Sequence, residues 1–341
     1  MSFFLDANGV YIKIVIAAMI AFLWSEFIGI FPIYMDYEKN KENVLKHIVP
    51  IWEITGTMIV FFVVELELIY STLVPIASYL FIPIVGIFAL LLILRNVFII
   101  YAEFIWKKVD SKPLYMFYSA ATVIMVIGFL TAVAALLTGL GIHLNLTTLS
   151  KSYINYLPLL GTDVYWIFLI GALFIAFGMS QVFYRTVKNT SFMPLITIAV
   201  GLIMDAYAYM SIASLDKASA GAYIILPFIL TLAIPLLYMY KPTTHLASYK
   251  PFWFIMITIA VFSLELPVTK IAGGAFPINA FASVNSMQAA NFYLSIIGGI
   301  IYILLMVMYA YVYNSGWLSF KPEEGHKKGN TSKEDAKITK N

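Results

Sequence analysis

Apolar residues run along this chain in blocks broken by short polar clusters, and the blocks are roughly 20 residues long, the length a helix needs to cross a bilayer. The pattern predicts nine spans, near 10–34, 47–71, 77–104, 114–142, 163–184, 192–213, 221–240, 251–270 and 292–314. Most connections are short. Two longer loops, 143–162 and 271–291, carry Gly, Pro, Asn and Ser and fall on the same side. Met1 to Val10 carries only Asp6 as a charge and Glu26 interrupts the first apolar run, so that run is expected to be a retained span rather than a cleaved leader, with Lys13 snorkelling to the interface. The expected fold is all-α, a polytopic membrane protein of about nine transmembrane helices arranged as two four-helix bundles plus one extra helix. Its divisions are 1–142, 143–270, an outer loop with the ninth helix over 271–320, and a tail over 321–341. Spans one to four and five to eight would share orientations, as in a parallel repeat, with Pro50 and Pro194 at similar places in the two halves.

The basic residues orient these spans, because cytoplasmic loops carry the lysine and arginine excess. One side collects Lys39, Lys41, Lys46, Lys107, Lys108, Lys112, Arg185, Lys188, Lys241, Lys250 and six tail lysines, Lys321, Lys327, Lys328, Lys333, Lys337 and Lys340. The other side holds Lys13, Lys151, Lys217 and Lys270. The expected topology places the N-terminus outside and the C-terminus in the cytoplasm. The tail after Phe320 is polar, mixes both charges and reads as a disordered extension. Asn145 opens a glycosylation sequon on the expected outer face.

Composition narrows the chemistry. Hydrophobic residues make up 62% and charged ones 11%, where soluble domains carry about 25% charged. The absence of cysteine removes disulfides, thiolate metal sites and iron–sulfur clusters. A net charge of +3 with no basic patch gives no support to nucleic-acid binding. Neither a phosphate loop nor a zinc-binding His-Glu-x-x-His nor a serine elbow is present.

Ionisable residues inside spans cost about 2.5–3.5 kcal/mol each at a helix centre, so each asks for a partner or a water-filled path. They are Glu26, Glu53, Glu65, Glu67, Arg95, Glu103, Asp205 and Glu265. By the expected orientation, Glu26, Glu53, Arg95 and Glu103 gather in the inner half of the first three spans. Two readings stand: a structural cluster in which Arg95 neutralises a carboxylate, or a proton inlet. Glu65 and Glu67 point to different faces of one helix, and Asp205 and Glu265 are expected to pair with a tyrosine or threonine. His47, His143, His245 and His326 fall at predicted helix ends, loops or the tail, which argues against a haem held between two buried imidazoles. The 15 methionines are read as apolar filler.

The stretch from Asn43 to Glu103 resembles subunit II of cytochrome bd-type quinol oxidases. Ile48-Val49-Pro50-Ile51-Trp52-Glu53 is similar to that family's isoleucine-x-proline-x-tryptophan-aspartate start of the second span, with glutamate for aspartate. Phe81-Ile82-Pro83-Ile84, leading through Leu90-Leu91-Leu92-Ile93-Leu94 into Arg95, resembles the third span. The departures are those of a divergent, archaeal-type member. Thr55-Gly56-Thr57-Met58 stands where the family carries a second acid, only Glu26 in Trp24-Ser25-Glu26-Phe27 stands for its first-span aspartates, and Glu103 comes later than the family's acid.

The resemblance implies a haem-free integral membrane subunit. It would support a haem-bearing subunit I in quinol oxidation and oxygen reduction to water, alongside membrane lipid, quinone and small accessory subunits. The chain alone would bind no cofactor and be inactive. Glu26, Glu53, Arg95 and Glu103 would form a cytoplasmic proton path or structural ion pair, and Trp52 would lie at the subunit or haem-facing seam or in the interfacial belt. Two other classes stay open: the quinol-binding anchor of a polysulfide-reductase-type complex, and a secondary transporter.

Overall fold

The structure is a computed structural model that describes residues 3–105, 112–145, 148, 151–188, 190–212, 215, 217–240 and 250–314. Nine helices of 16 residues or more lie among the described residues: α1 (Phe3–Met35), α2 (Tyr37–Ile69), α3 (Leu73–Ile100), α4 (Lys112–Thr138), α6 (Asp163–Phe183), α7 (Met193–Met210), α8 (Lys217–Tyr240), α9 (Lys250–Glu265) and α10 (Asn285–Asn314). A single-turn α5 spans Leu157–Leu160, and α3 runs on into a π turn at Tyr101–Ile105. Seven of the nine are long and apolar enough to cross a membrane. The other two are α2, whose apolar part carries Glu53, Glu65 and Glu67, and the short α9. The chain is an all-α, multi-pass membrane protein.

Packing groups Met1–Ile301 as one unit and Tyr302–Asn341 as another. Within the first, α1 is the central helix, touching α2, α4, α6 and α9. Consecutive helices also pack on each other, α3 on α4, α6 on α7 and α8 on α9. The α6–α7 contact is backbone on backbone: a Cβ added to Gly201 would lie 2.6 Å from the Gly171 carbonyl oxygen and 2.9 Å from the Ile175 nitrogen. At the α8–α9 contact, Pro227 lies inside α8 and has no N–H, so the Tyr223 carbonyl one turn earlier has no helical donor. The Ser263 hydroxyl of α9 donates to it at 2.8 Å.

Helix centres agree with the apolar blocks, whereas several ends do not. The second helix starts at Tyr37, ten residues before the predicted span at 47. Asp36 caps it by accepting from the Lys39 amide at 3.3 Å, and Lys41 bonds Glu38 at 2.9 Å. A hydropathy window sees only the apolar part of such a helix. The fourth ends at Thr138 rather than 142, because Gly139 takes φ +71° and closes it.

The two longer loops fold into two-residue hairpins at the same end of the bundle: β1 (Ile142–His143) with β2 (Tyr153–Ile154), and β3 (Lys270–Ile271) with β4 (Phe276–Pro277). They meet at Gly139, where a Cβ would strike the backbone of Ala272, and the Ala272 amide donates to Leu136 O at 2.7 Å. The tail 321–341, which holds His326, and the stretch 241–249, which holds His245, lie outside the described residues.

Candidate functional site

Three helices of the first half meet at one buried ion pair. Arg95 of α3 donates through Nη1 to Glu26 Oε2 of α1 at 2.6 Å, and both side chains are fully buried. The Tyr118 hydroxyl of α4 donates to the same carboxylate oxygen at 2.5 Å, and the guanidinium lies over the Tyr118 ring, 5.7 Å from its centroid. One oxygen therefore takes two hydrogen bonds, one of them from a cation, which gives the carboxylate its partners away from water. The second oxygen, Glu26 Oε1, and the Arg95 Nε and Nη2 groups are buried without a hydrogen-bond partner. Ser119 Oγ is likewise buried without one.

Of the residues singled out from sequence, Glu26 and Arg95 are brought together. Backbone positions put Glu53 in α2 and Glu103 in the π turn, and their side chains lie outside the described part. Trp52 is half-buried in α2. Tyr118 was not singled out: with 23 tyrosines in the chain, nothing marks this one.

His47 corrects the sequence reading. It lies within α2, not at a helix end, and is fully buried. Its ring packs against Phe183 at 4.5 Å, Tyr184 at 5.9 Å and Phe254 at 6.2 Å. The early start of α2 is the reason. His143 is exposed on β1, stacked on Tyr153 at 4.6 Å.

The remaining membrane acids separate. Glu65 is buried and Glu67 exposed, as expected of neighbours on different faces. Glu265 does not pair with a tyrosine: its charged neighbour is Lys13, whose Nζ donates to Leu266 O at 3.0 Å, while the Tyr209 hydroxyl is given to Leu264 O at 2.6 Å. Lys13 thus points into the bundle rather than snorkelling. Asp205 Oδ1 is buried without a hydrogen-bond partner where α7 crosses Gly171. Lys13, Asp205, Tyr209 and Glu265 are the polar edge of a cavity of about 830 Å³, otherwise lined almost wholly by apolar side chains of α1, α4, α6, α7, α8 and α9. Apolar patterning cannot reveal such a cavity, since its lining reads like lipid-facing surface.

No protein-family model matches the chain, and no curated protein sequence matches it. Among solved structures it is similar to one described as the structure of bd oxidase from Geobacillus thermodenitrificans, with a TM-score of 0.67 and 11% sequence identity. The similarity covers 94% of this chain and 100% of that one. The chain has a bd-oxidase-like fold.

Proposed function

We propose that this chain is the haem-free subunit II of a cytochrome bd-type quinol oxidase in a prokaryotic cell membrane. It supports a haem-bearing subunit I in oxidising quinol and reducing oxygen to water, with its N-terminus outside and its C-terminus cytoplasmic. The observation that carries this reading is the Arg95–Glu26–Tyr118 network, built around the arginine of the resembling third span, in a chain whose backbone follows a bd oxidase chain over 94% of its length.

Oxygen reduction consumes protons, and a site buried in a membrane receives them only through titratable side chains or ordered water. Glu26 Oε1 and the two free guanidinium nitrogens are the buried groups such water would join. Glu103, on the cytoplasmic side of that network in the proposed topology, and Glu53, at the middle of α2, would deliver protons to it, and Trp52 would line the subunit seam.

Among the described residues only one histidine, His47, is buried, so they offer no pair of imidazoles for a haem of the chain's own. His47 is enclosed by three aromatic rings, and no histidine lines the cavity. A haem-bearing partner would hold the iron.

Purification of the complex from membranes, with an absorption spectrum and an oxygen-consumption assay on added quinol, tests the reading. A co-purifying haem protein with quinol-dependent oxygen uptake is expected. An iron–sulfur partner, no partner, or a haem spectrum kept by this chain expressed alone would overturn it.

A further inference from the structure

A second polar cluster forms at the end of the bundle where α1 begins and α2 ends. It receives Asn8 and Tyr11 from α1, Glu65 and the Ile69 carbonyl from α2, and Gln288, Asn291 and Ser295 from α10, the last three spaced to share one helix face. Asn8 Nδ2 donates to both the backbone oxygen and Oε1 of Gln288 at 2.8 Å, and Gln288 Nε2 donates to Ile69 O at 2.7 Å. Asn291 Nδ2 lies 3.3 Å from Ser295 Oγ. The Gln288–Ile69 bond sets the register of α2 against α10, so Glu65, one turn before Ile69, lies level with Asn291 and Ser295, one and two turns after Gln288, and Tyr11 follows Asn8 by one turn of α1. Asn8, Gln288 and Asn291 are no more than 1% exposed, and Glu65 and Ser295 only 4%.

Donors and acceptors do not balance. Asn8 Oδ1, Glu65 Oε2 and Asn291 Oδ1 are buried with no donor. Turning the Asn8 amide over would set its oxygen against two oxygens of Gln288, so its orientation is fixed. Each orphaned acceptor has lost its water without gaining a donor, and a carboxylate at this depth asks for a counter-charge. Among the described residues Glu65 makes no ion pair. Surplus oxygen acceptors carrying a single negative charge are what a hard cation of single charge requires.

We propose that Glu65, Asn291 and Ser295 bind a monovalent alkali cation, with the Tyr11 hydroxyl and Asn8 Oδ1 at the edge of the site. The site clamps the start of α10 to α1 and α2, and it stands whether or not the chain serves an oxidase.

The test is the melting temperature of the full chain, purified with whatever subunit accompanies it, in sodium or potassium chloride against choline chloride at constant ionic strength. A saturable rise with sodium or potassium over choline is expected. Half-saturation should shift roughly tenfold or more in Asn291→Ala and Ser295→Ala, vanish in Glu65→Gln and persist in Glu67→Gln, whose side chain is exposed. Equilibrium binding of radioactive sodium to the unmodified protein, expected at one ion per chain, keeps the proposal testable if a variant does not fold. No cation effect, an effect unchanged in Glu65→Gln, or stabilisation by low pH alone would overturn it, the last making Glu65 a proton carrier.

Discussion

Arg95 and Glu26 stand 69 positions apart in sequence and 2.6 Å apart in space, one on α3 and the other on α1, with neither reaching solvent. Each is costly alone and tolerable together, so the pair fixes how the two helices meet. Arg95→Leu leaves the Glu26 carboxylate uncompensated and should cost about 3–5 kcal/mol, read as lost yield or a lower melting temperature of the solubilised protein. The double variant Glu26→Leu with Arg95→Leu should recover much of that loss, because its partners are coupled. Tyr118→Phe removes one bond to a charged group and should cost about 1.5–3 kcal/mol. An Arg95→Leu protein that melts like the unmodified one would refute the coupling.

Glu53 carries the proton reading most directly, as it closes the motif that resembles the family and lies at the middle of α2. Glu53→Gln should preserve assembly and the haem content of the complex but slow oxygen consumption with quinol. Glu53→Asp, which restores the family's residue, should keep much of the activity. Equal rates for Glu53→Gln and the unmodified complex at every pH would leave the cluster a structural one.

The α6–α7 crossing gives a stability contrast. Gly201→Ala drives a methyl into the backbone of α6 and should destabilise by about 1–3 kcal/mol. Gly56→Ala, which meets nothing within 4 Å, should be neutral or gain up to about 1 kcal/mol from helix propensity. Thermal melts of the two variants side by side decide it, and equal midpoints would contradict the close approach.

Topology is checked by proteolysis of sealed right-side-out vesicles. The tail should survive, because the lysines and arginines concentrate on its side. Cleavage at Lys327 or Lys328 without permeabilisation would reverse the orientation.

Helix centres were legible in the sequence because lipid demands uninterrupted apolar length, and a block such as 114–142 can do little else. Helix ends were less so: the polar turns from Tyr37 to Lys46 carry no apolar signal, and reading them as loop put His47 at a helix end when it is buried three aromatic rings deep. Depth along a helix can be counted from its ends, which drew Glu26 and Arg95 to the same level. Rotation about the axis could not be read from helices apolar on every side, so Tyr118 on α4, the Asn8–Gln288 contact and the turn of Lys13 toward Leu266 gave no sign. Glu65 was visible as a charge in a span, but its neighbours on α10 were ordinary polar residues more than 200 positions away.

The bond from Ser263 to the Tyr223 carbonyl ties two positions into one unit of inheritance. Pro227 creates the vacancy that the serine fills, so a relative with any other residue at 227 regains the helix's own hydrogen bond and releases the serine from its task. Homologues should therefore exchange the proline and the hydroxyl together, and a chain that kept the proline while losing the hydroxyl would leave the carbonyl at 223 without its donor from α9.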